Sequence, residues 1–297
     1  MFAGLWRGFR VIQIRKHGSV ENDMRQITSL TNPAIKALRS LHDRKHRRRA
    51  ELFLAEGVRI VTEALDLGWQ PQTLVLVEGR EEEPYIRRIL NKINTSETDC
   101  LTVPEAVMTK ISRKDNPQMI LASFHERWQS PAYVFDTPKG CWVVLDRVRD
   151  PGNLGTILRT ADAVGAQGVI LVGDCVDAFS VETVRASMGA VFNIDLVRMT
   201  EEEFIEAARS SRFTSLGTAL PASVDYREAR WSTPLLLLMG NEQSGLSAKM
   251  MDCADQLIRM PMLGRSDSLN LAVATGLCLY EYLRAGAGDA QGSSGQK

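Results

Sequence analysis

Two apolar runs near the end of the chain are each followed by a polar, glycine-containing loop. Leu235–Met239 leads into a loop that begins at Gly240, and Leu257–Met262 leads into a loop that contains Ser268. Unbroken apolar runs of strand length are typical of parallel strands that are buried on both faces of a sheet. Ligands of open α/β sheets bind beyond the carboxyl ends of such strands. The pattern therefore predicts two adjacent loops that bind one small molecule.

The stretch before these runs alternates between strand and helix periodicity. We predict strands where apolar residues are continuous, and helices where they recur every three or four positions, as after Asn153. This alternation indicates an α/β fold with a mostly parallel six-strand sheet in a second domain, residues 141–285. Its predicted strands are Trp142–Asp146, Gly168–Val172, Asn193–Val197, Thr214–Leu220, Leu235–Met239 and Leu257–Met262.

A smaller α/β domain is predicted in residues 24–125. A helix starts at Asn32-Pro33, and the following predicted elements are strands Leu52–Leu54, Thr73–Val77, Cys100–Val103 and Met119–Phe124, with helices Glu56–Leu67, Pro84–Lys92 and Pro104–Ser112. Residues 126–140, which contain Pro131 and Pro138, are typical of a linker. We expect residues 1–23 to be a disordered extension, with an organellar transit peptide as the alternative. The small, polar residues 286–297 predict a disordered tail.

Composition limits the partners and the chemistry. The 297 residues carry a formal net charge of zero, so any affinity for nucleic acid has to come from local patches. No apolar run approaches the roughly 18 residues of a membrane span, so we expect no membrane partner. The five cysteines lack a CxxC spacing, which indicates reduced thiols in a cytoplasmic compartment. All four histidines precede residue 126, which excludes a His-ligated metal or a Ser-His-Asp set within the second domain, and no metal is expected.

One local patch is strongly basic. It follows the apolar stripe of the first predicted helix and consists of Arg44, Lys45, Arg47, Arg48 and Arg49. Clustered Lys and Arg side chains bind the phosphates of nucleic acid and release counterions. The alternative is a solvated helix end, since charge runs are usually solvated faces.

Five polar residues stand at or near turns that end predicted strands. Asn153, Ser268 and Asn270 could simply cap helices, Glu242 could be a first-turn carboxylate, and Arg159 could be a solvated helix residue. Together, at one end of one sheet, they indicate a binding or catalytic site. The chain contains neither G-x-G-x-x-G nor a Walker motif, which disfavours a nicotinamide enzyme and other phosphate-bearing cofactors.

Three segments resemble a known family. DPGNLGTILRTADAVGAQGVIL, LLLLMGNEQSGLS and IRMPMLGRSDSLNLAVATGLCLYEYL resemble, in order, the three signature motifs of the SpoU/TrmH branch of the SPOUT RNA methyltransferases. LFLAEGVRIVTEAL resembles the L30e-like substrate-binding domain that many members carry in front. The resemblance covers about residues 24–284.

The resemblance implies properties that periodicity does not show. Members are homodimers whose sheet ends in a C-terminal trefoil knot, against the general rule that connections do not thread. They bind S-adenosyl-L-methionine on the backbone of the knot and methylate a ribose 2′-hydroxyl of RNA. By position, the cofactor-binding residues would be Met239, Gly240, Asn241, Met260, Ser268 and Leu269, and the catalytic residues Asn153, Arg159, Glu242 and Asn270.

The implied chemistry leaves some alternatives open. Arg159 is expected to assist the 2′-hydroxyl, or to polarise it or hold a phosphate while the proton goes elsewhere, since arginine stays charged. Ala272 stands where many members have Ser, and Gln243-Ser244 differs from the common Gly-containing sequence. Ribosomal RNA is favoured over transfer RNA because of the L30e-like front domain. A non-catalytic RNA-binding or ribosome-assembly factor of the same fold is the alternative from a different functional class.

Overall fold

The computed structural model describes residues 24–292 except 221 and 223, with side chains as far as residue 286. The predicted extension 1–23 lies outside the described residues. Two α/β units follow each other along the chain, and each is built on its own sheet.

The N-terminal domain is a five-stranded sheet with helices packed on it. Its sheet order is β1-β4-β3-β5-β2, in which β5 runs antiparallel to both β2 and β3 and the other pairs are parallel. The elements are β1 (Arg25–Gln26), α1 (Pro33–Ser40), α2 (Arg44–Ala50), β2 (Leu52–Glu56), α3 (Val58–Asp66), β3 (Thr73–Val77), α4 (Pro84–Leu90), β4 (Asp99–Val103), α5 (Glu105–Ser112) and β5 (Ile120–His125).

The C-terminal domain is a seven-stranded parallel sheet with helices on both faces. The sheet order is β10-β12-β9-β11-β6-β7-β8, and the strands are β6 (Cys141–Asp146), β7 (Gly168–Val172), β8 (Asp195–Met199), β9 (Thr214–Thr218), β10 (Val224–Asp225), β11 (Leu235–Met239) and β12 (Gln256–Arg259). The helices are α6 (Pro131–Phe135), α7 (Pro151–Ala163), α8 (Val181–Ala186), α9 (Glu201–Ser210), α10 (Ala248–Cys253) and α11 (Leu271–Gly292). Every residue of β6, β7 and β11 is buried, which explains their unbroken apolar sequences.

The sheet has seven strands where the sequence predicted six. The additional strand, β10, contains two residues and pairs in parallel with β12 at the edge of the sheet. Two residues are too few to show a strand period, so the pattern could not reveal it. The last predicted strand is also shorter than expected, because β12 ends at Arg259 and leaves Met260 in the following loop.

Other predicted boundaries are also corrected. The basic run is not the end of the first helix but a separate one, α2, whose N-cap Asp43 accepts a hydrogen bond from the Lys45 amide. The predicted linker 126–140 contains α6, capped by Ser130. The helix predicted from Glu56 begins at Val58, because Gly57 turns the chain at a φ of 106°. α11 continues to Gly292, so residues 286–292 of the predicted tail belong to this helix.

The two domains share one hydrophobic core. Phe53 of β2 packs on Phe179 with 4.6 Å between ring centroids, and Trp69 packs on Phe192 at 5.0 Å. The indole nitrogen of Trp69 donates to the carbonyl oxygen of Phe192 at 2.9 Å. These contacts fix the N-terminal domain against the second domain.

Arg47 belongs to this junction and not to an exposed basic patch. Its side chain is only 4% exposed, and Nη2 donates to Oδ2 of Asp177 at 2.7 Å while Nη1 donates to the Leu41 carbonyl at 2.8 Å. The side chain is buried because it lies on the face of α2 that packs against the C-terminal domain. The position of Arg47 therefore gives no support to the prediction that it contacts RNA.

Candidate active site

The loops that follow β6, β9, β11 and β12 meet at the carboxyl ends of the strands of the C-terminal sheet. β11 pairs in parallel with both β6 and β9, and β9 pairs with β12, so their carboxyl ends lie side by side. Open α/β sheets bind ligands beyond the carboxyl ends of their strands.

A buried carboxylate at the end of β6 fixes the first loop. Asp146 is 1% exposed and accepts hydrogen bonds from Nε and Nη2 of Arg147, at 2.7 and 2.9 Å, and from the Ser247 amide at 2.9 Å. The Arg147 carbonyl in turn accepts from Nδ2 of Asn241 at 2.7 Å. The loops after β6 and β11 are thus joined by side chains from both. Sequence reasoning missed Asp146, although an acid at the end of an apolar strand was a visible signal.

The loop after β11 is folded back on itself at a glycine. The Asn241 amide donates to the Gly245 carbonyl at 3.0 Å, and the Gly245 amide donates to the Asn241 carbonyl at 2.9 Å. A Cβ at Gly240 would lie 2.1 Å from the backbone of Gly245 and of Leu246. Only glycine fits there, because the two backbone segments touch.

Three of the predicted catalytic residues form one chain of hydrogen bonds. Nδ2 of Asn270 donates to Oδ1 of Asn153 at 2.9 Å, and Nδ2 of Asn153 donates to Oε1 of Glu242 at 3.1 Å. The other end is anchored because Oδ1 of Asn270 accepts from the Ala272 amide at 2.9 Å, at the start of α11. The chain therefore connects the loops after β6, β11 and β12.

Glu242 is an anchored anion. Besides Asn153, its carboxylate accepts from the amides of Arg149, at 3.3 Å, and Asp150, at 3.2 Å. Partial burial alone would raise the pKa of Glu242, but the hydrogen bonds from its own amide, Asn153, Asp150 and Arg149 outweigh it and hold the pKa below its ordinary value. With its oxygens occupied by donors, Glu242 acts here as a positioning group.

Arg159 does not join this chain of hydrogen bonds. It lies six residues beyond Asn153 on α7, about 9 Å along the helix axis at 1.5 Å per residue. Its side chain is on the exposed stripe of α7 with Thr156 and Ala163. Within residues 24–292, Arg159 makes no ion pair or side-chain hydrogen bond.

A cavity of about 380 Å³ opens between the loops. Its walls include all the residues predicted to bind a cofactor, Met239, Gly240, Asn241, Met260, Ser268 and Leu269, and also Glu242. Leu246, Ile258 and Leu271 add apolar surface, and Thr218 contributes from the end of β9. Sequence reasoning did not single out these last four residues, because nothing in a strand pattern tells which buried residue faces a cavity.

The remaining basic residues of α2 are solvent-accessible. Lys45, Arg48 and Arg49 are exposed and form no ion pair within the part of the chain that the structure describes. Arg44 is also exposed, and its guanidinium group reaches the loop after β7, where Nη2 donates to the Cys175 carbonyl at 3.1 Å.

The described residues contain neither a metal-binding cluster nor a membrane-spanning helix. In residues 24–292, no three His, Cys, Asp or Glu side chains are grouped closely enough to hold a metal ion. No helix in the same residues is long and apolar enough to cross a membrane.

Residues 140–280 match the SpoU rRNA methylase family, and residues 32–122 match the MRM3-like substrate-binding domain. A 23S rRNA (guanosine(2553)-2′-O)-methyltransferase, RlmP of Bacillus subtilis (strain 168), is 32% identical over 257 residues, which cover 86% of this chain and 98% of the relative. The chain belongs to the SpoU methylase family. This confirms the resemblance and the α/β methyltransferase fold predicted from the sequence motifs.

Solved structures of SpoU proteins are similar over nearly their whole length. The AdoMet-bound rRNA methyltransferase from Sinorhizobium meliloti is 46% identical with a TM-score of 0.82, over 89% of this chain and 98% of that one. The SpoU methyltransferase AviRb from Streptomyces viridochromogenes, in complex with AdoMet, is 29% identical with a TM-score of 0.77, over 86% and 98% of the two chains.

Proposed function

We propose that this SpoU protein transfers a methyl group from S-adenosyl-L-methionine to a ribose 2′-hydroxyl of ribosomal RNA. The observation that carries the proposal is the cavity whose wall includes Glu242, the last member of the hydrogen-bonded chain Asn270–Asn153–Glu242. The names of the similar proteins, which include a 23S rRNA 2′-O-methyltransferase and two methyltransferases bound to AdoMet, support the same substrate and cofactor.

The cavity fits the cofactor by size and lining. Its volume of about 380 Å³ lies within the range of small-molecule sites. Met239, Ile258 and Leu271 would enclose the apolar part of an adenosine, and the backbone at Gly240 and Leu269 would provide its polar contacts. Bound there, S-adenosylmethionine supplies an electrophilic methyl group on a sulfonium cation. Glu242, an anion on the cavity wall, complements such a positive charge.

The acceptor would be held by the amides of the hydrogen-bonded chain. Asn153 and Asn270 are fixed by their mutual bond and can orient a ribose without moving. We infer that Arg159 polarises the 2′-hydroxyl or holds a neighbouring phosphate, as a fixed cation. Since Arg159 is on a different side of α7 from Asn153, we infer that it serves the acceptor bound by a second copy of the chain.

A homodimer is proposed from the outer face of α11. Val273, Leu277, Tyr280 and Leu283 recur there at helical spacing and are exposed, while other residues of α11 pack on α7. An apolar stripe of this kind fits a second copy of the same surface. Sedimentation of Leu277→Arg should show a monomer where the native chain is a dimer, and a monomeric native chain would contradict the proposal.

The trefoil knot and the compartment are also proposals. After β12, near one edge of the sheet, the chain returns past the Gly240–Leu246 loop to place α11 against α7 and β11, a path that supports a knot. A cytoplasmic location is supported by the free thiols of Cys141, Cys175, Cys253 and Cys278.

Ribose methylation mapped in RNA from cells with and without the gene tests the proposed function. One 2′-O-methyl group in ribosomal RNA should be lost with the gene and return when the gene is restored. Loss of a 2′-O-methyl group from transfer RNA instead would show that transfer RNA is the substrate. Unchanged methylation, with RNA binding retained, would indicate a non-catalytic RNA-binding factor.

A further inference from the structure

Asp174, in the loop after β7, lies between guanidinium groups from both domains. Nη1 of Arg149 donates to its Oδ2 at 2.7 Å, and Nη1 of Arg44 lies 3.7 Å from its Oδ1. Arg149 belongs to the active-site loop after β6, and Arg44 belongs to α2 of the N-terminal domain. One carboxylate is thus shared by the substrate-binding domain and the catalytic loop.

Buried contacts fix this arrangement while its charged groups stay exposed. The Arg47–Asp177 ion pair holds α2 against the second domain, and Arg44 also donates to the Cys175 carbonyl. The side chains of Arg44, Arg149 and Asp174 are 42%, 60% and 66% exposed. A large anion can therefore reach both guanidinium groups without any change in the fold.

The group formed by Arg149, Asp174 and Arg44 lies next to the proposed acceptor site. The amide of Arg149 donates to Glu242, which also holds Asn153, so the side chain of Arg149 starts within the active-site loop. On the other side, Arg44 and Arg48 line a small cavity with Gly173 and Arg198. The surface that leads from the active site to α2 therefore carries cations on both sides of the domain junction.

The Asp174 carboxylate forms only a weak ion pair with Arg149 and Arg44. The pKa of Asp174 is held below its ordinary value by Arg149 and, at longer range, by Arg44 and Arg48. Exposed ion pairs nevertheless contribute little to stability, so separating this one costs little. A guanidinium group matches the geometry of phosphate and forms stronger, bidentate hydrogen bonds with it.

We propose that Arg149 and Arg44 form a phosphate-binding site for the RNA substrate, and that the Asp174 carboxylate competes with the RNA phosphate for the same guanidinium groups. The proposal rests on the proposed function, because it places a backbone phosphate near the ribose held at Asn153. It also gives a role to Arg44, which shares Asp174 with Arg149 of the catalytic loop across the junction.

The test is equilibrium binding of the ribosomal RNA fragment that the native protein methylates, measured over a range of salt concentrations. Arg44→Gln and Arg149→Gln should each weaken binding about five- to tenfold at low salt, and each should reduce the slope of log K against log salt by about 0.7 to 0.9. Arg149→Lys should keep the slope while losing part of the affinity, because lysine is a point charge without the guanidinium fork.

Asp174→Asn tests the competition directly. It should tighten RNA binding, and this gain should become smaller in the Arg149→Gln background, where Arg44 is the one guanidinium group of the proposed site that Asp174 still contacts. The matched control is the exposed pair Arg25–Asp99 in the N-terminal domain. Arg25 lies on β1, at the opposite edge of the sheet from β2, the strand that α2 contacts. Four strand spacings, or about 19 Å, separate β1 from β2. Arg25→Gln should change RNA affinity much less than Arg149→Gln does, and Asp99→Asn much less than Asp174→Asn does.

Unchanged RNA affinity and salt slope in both arginine variants, with methyl transfer by the native protein intact, would overturn the site. Weaker binding by Asp174→Asn would show that Asp174 positions Arg149 and would overturn the competition. Affinity for S-adenosylmethionine, which should be unaltered in every variant, reports that each is folded. Absence of methyl transfer by the native protein would remove the proposed function, and this site with it.

Discussion

Asn153 uses both ends of its side-chain amide, one toward Asn270 and one toward Glu242. Asn153→Ala should lower kcat/KM about 10²-fold, because misplacement of the acceptor by about 1 Å has an effect of that size. Glu206→Ala, at an exposed position of α9 that does not line the cavity, is the control and should retain activity. Equal activities of the two variants would show that the hydrogen-bonded chain has no part in catalysis.

The pKa of Glu242 gives a pH dependence with a definite sign. Because the folded-state pKa is below its ordinary value of 4.5, the carboxylate stabilises the fold fully above that pH, and this contribution is lost as the pH falls through the folded-state pKa. Glu242→Gln should therefore make the melting temperature less dependent on pH below about 4.5. Glu97→Gln is the control, since the exposed Glu97 side chain forms no hydrogen bond or ion pair within residues 24–292. Parallel curves for native protein and Glu242→Gln would contradict the assignment.

Sequence could predict which residues stand at this site but not how they are bonded. Asn153, Glu242 and Asn270 each follow a strand or its loop, and that much is visible in the apolar pattern. The direction of their hydrogen bonds depends on the loops after β6, β11 and β12 being neighbours, which only the strand order decides. Arg47 and Arg48 are adjacent and identical in type, yet one is buried and one is exposed, because the helix turns them to different faces.

The contact between α7 and α8 depends on a glycine. A Cβ at Gly155 would lie 2.4 Å from Cβ of Ala186 and 2.6 Å from the Thr183 carbonyl oxygen. Gly155→Ala should reduce the free energy of unfolding by about 1 to 3 kcal/mol, as overpacking does. Gly276→Ala in α11, where the nearest atom would be 3.7 Å away, should instead be neutral or stabilise by up to about 1 kcal/mol. Chemical denaturation measures both, and equal effects would contradict the packing argument.

Element prediction succeeded for strands with a continuous buried apolar run. β3, β7 and β11 have the bounds that the sequence predicted. α6, with five residues, covers little more than one helical turn, and β10, with two, covers one strand repeat, so a period cannot be seen to recur in either sequence. Met260 was assigned to a strand because it is apolar, but it lies in the loop and lines the cavity.

At the scale of the whole molecule, the ion pair Arg47–Asp177 connects the domains. Arg47→Met should reduce the free energy of unfolding by about 3 to 5 kcal/mol, since it leaves the nearly buried Asp177 carboxylate unpaired. Arg49→Met, on the exposed face of α2, should change it by less than about 0.5 kcal/mol. Adding Asp177→Asn to Arg47→Met should recover part of the loss. An Arg47→Met protein as stable as Arg49→Met would show that the junction does not depend on this pair.

Methyl transfer in vitro tests whether this protein is a ribose methyltransferase. Purified protein, S-adenosylmethionine with a labelled methyl group, and ribosomal RNA from cells that lack the gene are combined, and the RNA is digested to nucleosides. The label should appear on one 2′-O-methylated ribose, and Asn153→Ala should reduce it strongly while Glu206→Ala does not. Label on a base, or no label in ribosomal RNA with the cofactor bound, would contradict the account.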